Sequence, residues 1–164
     1  MNGILLVNKP IEWTSRDVVN KLTKIYKTKK IGHTGTLDPI ATGVLVVCIG
    51  NTTKLCELLT SEYKEYIATI KLGIKTDTLD TTGNIVEKKD YNVDEKKIIE
   101  VLNSFQGESI QITPIYSAVK VNGKKLYEYA REGKEVELPK RKITIKNIEL
   151  ISYNNDEIVF KTTV

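Results

Sequence analysis

The chain has 164 residues, 40% hydrophobic and 28% charged, the size and composition of one ordinary globular domain, which excludes disordered and fibrous classes. Its longest apolar run, Val44 to Ile49, is far too short to cross a bilayer, and no charged-then-apolar segment opens the chain, so neither a membrane span nor a secretory signal is expected. The net charge of +4 is unevenly placed: Lys21 to Lys30 holds five lysines and no acid, Lys120 to Lys146 holds nine Lys/Arg against four acids, and outside these two +5 segments the chain carries −6. Such segments suit either a surface that meets polyphosphate or solvated lysines on a helix and a hairpin.

In chain order, Gly3 to Val7 reads as a short strand ended by Lys9-Pro10. Thr14, with Asp17 three residues on, makes a capping box for a helix whose apolar positions are Val18, Val19, Leu22, Ile25 and Tyr26. A polar loop, GHTGTLDPIATGVL, runs from Gly32 to Leu45 and leads into a buried strand, Val44 to Ile49. Thr53 to Leu59 then reads as a short helix. Tyr66, Ala68, Ile70 and Leu72 alternate with polar residues, the pattern of a half-buried strand.

Asn92 with Glu95 predicts the cap of a further helix, with Ile98, Ile99, Leu102 and Phe105 facing inward and Gly107 as its stop. Asn122-Gly123 signals a hairpin, and Ile143 to Tyr153 and Glu157 to Val164 read as two strands joined by Asn154-Asn155-Asp156. The expected class is therefore α+β, with a mixed, mainly antiparallel sheet flanked by a few helices. Phosphate-loop and dinucleotide glycine patterns are absent. Cys48 and Cys56 lack metal-ligand or redox spacing and read as small buried hydrophobes in a reducing cytoplasm; no metal site is expected.

The loop from Gly32 to Leu45 holds the only histidine, His33, and an Asp38-Pro39 pair. A residue before proline is pushed to extended backbone, which partly fixes the direction of the Asp38 carboxylate. Gly32, Gly35 and Gly43 permit close backbone approach, and Thr34, Thr36 and Thr42 offer hydroxyls to a phosphate or sugar. No serine or cysteine nucleophile sits in an elbow, and His33 lacks the glutamate spacing of zinc deaminases. The same residues also suit an Asp-Pro turn with local hydrogen bonds.

This loop resembles the catalytic motif of the bacterial tRNA pseudouridine-55 synthase family. Three further stretches resemble that family in the same order: GILLVNKPIEWTSRDVV, its Lys-Pro segment and first helix; YIATIKLGIKTDTLDTTG, its tyrosine-bearing strand; and PIYSAVKVNGKKLYEYAREG, within an insertion at about 108–142 that grips the T-loop. The resemblance covers essentially the whole chain, implies the pseudouridine synthase fold, and makes 1–164 one catalytic domain, incomplete at its C-terminal side. It implies Asp38 as the catalytic aspartate, acting as nucleophile or base. His33, Gly35 and Thr36 of the loop, Tyr66 as the base-stacking ring, and Lys9 and Pro10 are implied on the substrate side. Lys120, Lys124, Lys125 and Arg131 are implied as RNA-binding.

The implied reaction detaches a T-arm uracil from its ribose, turns it and reattaches it through carbon, without a cofactor. The implied partner is the T-arm stem-loop of tRNA, met in the cytoplasm by a monomer that needs no protein partner. The family's later Ser-Lys-Gly-Thr-Tyr-Ile-Arg motif does not occur before Val164, nor does its C-terminal RNA-binding domain. The expectation is then that these 164 residues alone bind the T-arm weakly, turn over essentially none of it, and expose a sheet edge or apolar face near 157–164. A competing expectation is a non-catalytic RNA-binding or tRNA-folding module. The His33-bearing loop resembles the stand-alone enzymes more than the guide-RNA-dependent ones.

Overall fold

The computed structural model describes residues 1–60 and 63–164. They form two compact units, Met1–Glu62 and Tyr63–Val164.

In the first unit, β1 (Gly3–Lys9) and β2 (Ile31–His33) flank β3 (Gly43–Ile49), both antiparallel to it. The apolar run of β3 becomes the central strand because it has neighbours on both sides and a helix on one face. That helix, α1 (Ser15–Tyr26), lays Val18, Val19 and Leu22 against Ile31, Leu45, Val47 and Ile49. The Thr14 and Asp17 capping box forms as the sequence predicts: Asp17 N–H donates to Thr14 Oγ1 at 3.1 Å, and Thr14 N–H donates to Asp17 Oδ2 at 2.9 Å. Ile25 faces solvent, because the core stripe runs through Ser15, Val18, Val19 and Leu22 and leaves it to one side. Val44 is also exposed, as only one face of β3 is covered at that end.

The short helix expected at 53–59 is instead a 3₁₀ turn, Gly50–Leu55, followed by α2 (Cys56–Thr60). Threonine hydroxyls explain the tighter start: Thr52 Oγ1 donates to Ile49 O at 2.8 Å and to Gly3 O at 2.7 Å, and Thr53 Oγ1 donates to Gly50 O at 2.8 Å. Gly50, at φ +68°, leaves no room for a Cβ beside Met1 O.

In the second unit, β4 (Glu65–Lys71) is followed by the β5 (Ile74–Thr76) and β6 (Ile85–Lys88) ribbon, then α3 (Glu95–Ser104) and β7 (Gly107–Ile112). After these come β8 (Lys120–Val121), β9 (Lys124–Lys125), α4 (Leu126–Arg131), β10 (Lys140–Ile145), β11 (Asn147–Asn154) and β12 (Glu157–Thr163). β12 lies between β11 and β4, and β10 pairs with β7. Ile98 and Leu102 of α3 pack on Ile148 and Ile158.

The α+β expectation holds, and every strand pairing among the described residues is antiparallel. The Asn122-Gly123 turn has φ +51° and +81°, the geometry of a two-residue hairpin. Four local readings are corrected. The cap of α3 is Asp94, whose carboxylate accepts from Lys97 N–H at 2.8 Å, not Asn92. Ile99 and Phe105 are exposed, since a ten-residue helix on a small sheet buries a stripe only two residues deep. The apolar run from Ile143 to Tyr153 is broken at Lys146, where the chain leaves the β7 ribbon for the β12 sheet. The strand 157–163 is no edge but the middle of its sheet, and Lys64 N–H donates to Val164 O at its end.

Cys48 and Cys56 are free thiols; Cys48 is buried as expected, but Cys56 is only partly so. Burial pushes the Cys48 thiol up, with a hydrogen bond to Cys56 adding to it, which leaves it unreactive. Among the described residues no helix is long and apolar enough to cross a membrane.

Candidate active-site loop and basic segments

The loop between β2 and β3 is clasped from beneath at the residues around Asp38. Ser15, the first residue of α1 and almost wholly buried, reaches Leu37 twice: Leu37 N–H donates to Ser15 Oγ at 3.0 Å, and Ser15 Oγ–H lies 3.3 Å from Leu37 O. On the other side of Asp38, Pro39 O accepts from Glu12 N–H at 2.7 Å and from Lys9 Nζ at 3.4 Å. Ala41 N–H closes the turn onto Asp38 O at 3.0 Å. Asp38 and Pro39 thus occupy the first two positions of a β-turn, which proline's fixed φ favours. The side chain of Asp38 is exposed while both its neighbours are tied down.

Lys9 is the buried centre of this arrangement. Its side chain is 0% exposed, and its ammonium donates to Trp13 O at 2.6 Å, Pro10 O at 2.8 Å and Pro39 O. Three carbonyls satisfy its three donors, which is what makes a buried cation tolerable here. Lys9 therefore sits under the loop, joining the end of β1 to the Asp-Pro turn, and does not line an open surface. Glu12 closes the same corner at φ +67°, a left-handed conformation uncommon for a side-chain-bearing residue and held by its bond to Pro39.

Farther back in the loop, Thr34 is buried: its N–H donates to Val46 O at 3.0 Å, and its carbonyl accepts from Thr60 Oγ1. His33 is half-buried, with Nδ1 2.6 Å from Gly35 O. A carbonyl only accepts, so Nδ1 bears the hydrogen of this bond. Thr36 is exposed and Gly35 half-buried. The first unit thus brings Lys9, Pro10, His33, Gly35, Thr36 and Asp38 to one loop cluster. The sequence does not single out Ser15 and Glu12; a serine at the first turn of a helix carries no signal for a contact 22 residues away.

The other candidates belong to the second unit. Tyr66 lies on β4 and is 39% exposed, so the strand is less buried than its alternation implies. In the basic segment, Lys124 pairs with Glu132 at 2.5 Å and stands over the Tyr129 ring, while Lys134 pairs with the same carboxylate at 2.9 Å. Hydrogen bonds from Lys124 and then Lys134 hold the Glu132 carboxyl down at about 2. Lys125 and Arg131 both stand about 5.2 Å from the Tyr127 ring. Lys120 and Arg131 are exposed. On the β7–β10 ribbon an open groove of about 360 Å³ is lined by Glu108, Ser109, Ile110, Lys140, Arg141 and Lys142. Among the described residues no cluster of acids, histidine and cysteine could hold a metal ion.

Residues 23–164 match the family described as TruB family pseudouridylate synthase (N terminal domain). The chain belongs to the TruB family. It is 53% identical to the tRNA pseudouridine synthase B of Bacillus subtilis over 169 aligned positions, covering 100% of this chain and 55% of that protein. It is 56% identical to that of Staphylococcus saprophyticus over 154 positions, covering 92% of this chain and 50% of that protein. The chain also aligns with a crystal structure of a Cbf5-Nop10-Gar1 complex, with a TM-score of 0.73, 30% identity, and 99% of this chain and 39% of that one covered. A structure of an H/ACA RNP bound to a substrate RNA containing 2'-deoxyuridine aligns with a TM-score of 0.68 at 27% identity, over 98% of this chain and 37% of that one. The chain spans about half the length of the curated TruB-family relatives it matches.

Proposed function

We propose that this chain carries the catalytic part of a tRNA pseudouridine synthase that isomerises the T-arm uridine, position 55, with Asp38 as the acting group. The observation that carries the reading is the exposed carboxylate of Asp38, held between Leu37 and Pro39 by Ser15, Glu12 and Lys9. The names of its relatives support tRNA as the substrate and pseudouridine as the product; the T-arm position is what the motif resemblance implies. The N-glycosidic bond of uridine breaks, the base turns, and a bond forms between ribose C1′ and uracil C5. The hydrogen on C5 leaves to solvent and N1 gains one, so atoms balance without a cofactor or metal. Asp38 serves by attacking the nucleotide or by taking a proton from the sugar. A positioned carboxylate suits either route.

The uridine must leave its stack to meet Asp38. Tyr66 offers a ring on which the flipped base stacks, and His33, Gly35 and Thr36 face the vacated loop. Lys9 and Pro10 hold the turn, and Lys120, Lys124, Lys125 and Arg131, in the insertion at about 108–142, meet the T-loop backbone. The protein works on tRNA as a cytoplasmic monomer without a protein partner. The test is tritium release from a tRNA transcript labelled at uracil C5. It is run on this chain alone and on the chain continued with the C-terminal portion of the Bacillus subtilis relative. One tritium released per tRNA is expected from the continued chain; RNA binding without release would establish the non-catalytic module instead.

Two variants probe the second unit. Stacking uses the ring and not the hydroxyl, so Tyr66→Phe should bind a T-arm hairpin like the parent, while Tyr66→Ala should lose roughly 1–3 kcal/mol. Equal binding by both variants would rule out stacking. Glu132→Gln should free the Lys124 ammonium for phosphate, steepening the fall of log affinity with log salt by about 0.7–0.9. An unchanged slope would show that Lys124 is no RNA ligand. The sign with pH follows from the lowered carboxyl: the Lys124–Glu132–Lys134 network is complete above the ordinary glutamate range, roughly 4.3. It is lost as pH falls toward about 2.

A further inference from the structure

The lysines from Lys21 to Lys30 play no part in the loop cluster, yet they are the densest uncompensated charge in the chain. Met1–Glu62 holds eight Lys/Arg against five Asp/Glu, and five of the eight lie in this stretch, which has no acid. Lys21, Lys24, Lys27, Lys29 and Lys30 are all exposed. Val18, Val19 and Leu22 turn the opposite face of α1 into the core, so Lys21, Lys24 and the C-capping Lys27 share the outward face. Lys30 Nζ donates to the neutral Asn51 Oδ1 at 2.7 Å. Every ion pair among the described residues joins side chains of the other unit, and none engages these five lysines. Asp17, the nearest acid on the helix, is held by Thr14 in the capping box.

One or two cations near a helix C-terminus complement its dipole, but five exceed that need. The spacing suits a particular partner. Lys21 to Lys27 spans about 9 Å at 1.5 Å per residue, and Lys29 and Lys30 extend the charge beyond it. A nucleic-acid duplex presents roughly one phosphate charge per 1.7 Å of axis, twice the density of one strand. The same helix begins at Ser15, which holds Leu37 beside Asp38, so Lys21 lies about 9 Å along α1 from the reactive loop. We propose that the outward face of α1 and the turn after it form a second RNA contact, a phosphate-binding surface for a base-paired stem of the RNA whose unpaired uridine is at Asp38. This rests on the tRNA reading and adds to it a place for the stem.

The test compares the parent chain with Lys21→Gln/Lys24→Gln/Lys29→Gln and with the corresponding triple Arg variant. Binding to a tRNA transcript, to a single-stranded oligouridine and to phosphatidylserine vesicles is titrated against salt. The Gln variant should bind tRNA at least about fivefold more weakly near 0.1 M salt, with the slope of log affinity against log salt smaller in magnitude by about 2 to 3. The Arg variant should restore both, and unfolding midpoints should match because the three side chains are exposed. Binding is read without turnover, so loss of the catalytic reading appears as absent tritium release with the slope change intact. An unchanged tRNA slope with tritium release intact overturns the stem contact. A loss confined to oligouridine or to vesicles overturns it too, as does a parent chain that does not bind tRNA.

Discussion

Asp38→Asn should lower pseudouridine formation by about a thousandfold or more while tRNA affinity stays within a few-fold. The substitution keeps size, and asparagine is as acceptable as aspartate at the first position of a β-turn, so the Ala41 bond to the residue 38 carbonyl survives. Leu37 and Pro39 are held by Ser15, Glu12 and Lys9 whatever side chain stands between them. What disappears is the negative charge and its basicity or nucleophilicity. The side chain is exposed, so the fold should not register the change. Turnover retained above about a thousandth of the parent rate would show that Asp38 positions the nucleotide and does not react.

Lys9→Met should be the most damaging change to the first unit. The methionine keeps most of the side-chain volume in a fully buried site but withdraws the donor from Pro10 O, Trp13 O and Pro39 O. Pro39 O keeps Glu12 N–H, so Pro10 O and Trp13 O are the carbonyls left short of a donor. At about 1–3 kcal/mol for each, partly offset by no longer burying a charge, a net destabilisation of about 3 kcal/mol is expected. Urea unfolding of the chain measures it. The Asp-Pro turn loses one of its anchors, so turnover should fall as well. A stability loss below about 1 kcal/mol would mean that Glu12 and Ser15 hold the loop without Lys9.

Elements governed by near neighbours along the chain are legible in the sequence itself. The Thr14 and Asp17 capping box, the Asn122-Gly123 hairpin and the apolar run of β3 each depend on residues within a turn or a strand. The α3 cap shows the limit of such reading: Asn92 and Asp94 both suit the position, and only the carboxylate that reaches Lys97 N–H takes it. The partition of 140–154 into β10 and β11 is hidden because the apolar pattern runs on while the pairing partner changes from β7 to β12. The central place of β12 is hidden for a similar reason, since its partner β4 lies about ninety residues earlier.

The candidate site divides the same way. Its members on the loop, His33 to Asp38, stand together in the sequence and read as a cluster. What makes the loop a rigid platform does not, because Ser15 meets Leu37 across 22 residues and Lys9 meets Pro39 across 30. Lys9 in particular reads from sequence as a strand end or a substrate contact, and only the fold turns it into a buried tie. In the basic segment, the pairing of Lys124 with Glu132 follows from the hairpin and α4 folding back together, which a charge count does not convey.

That this loop isomerises one T-arm uridine is tested most directly by mapping pseudouridine along a tRNA transcript. The transcript is incubated with the chain continued through the C-terminal portion of the Bacillus subtilis relative, and then with its Asp38→Asn form. One modified position is expected, the T-arm uridine, present with the parent and absent with the variant. Modification at another position, or the same modification surviving in the Asp38→Asn form, would contradict it.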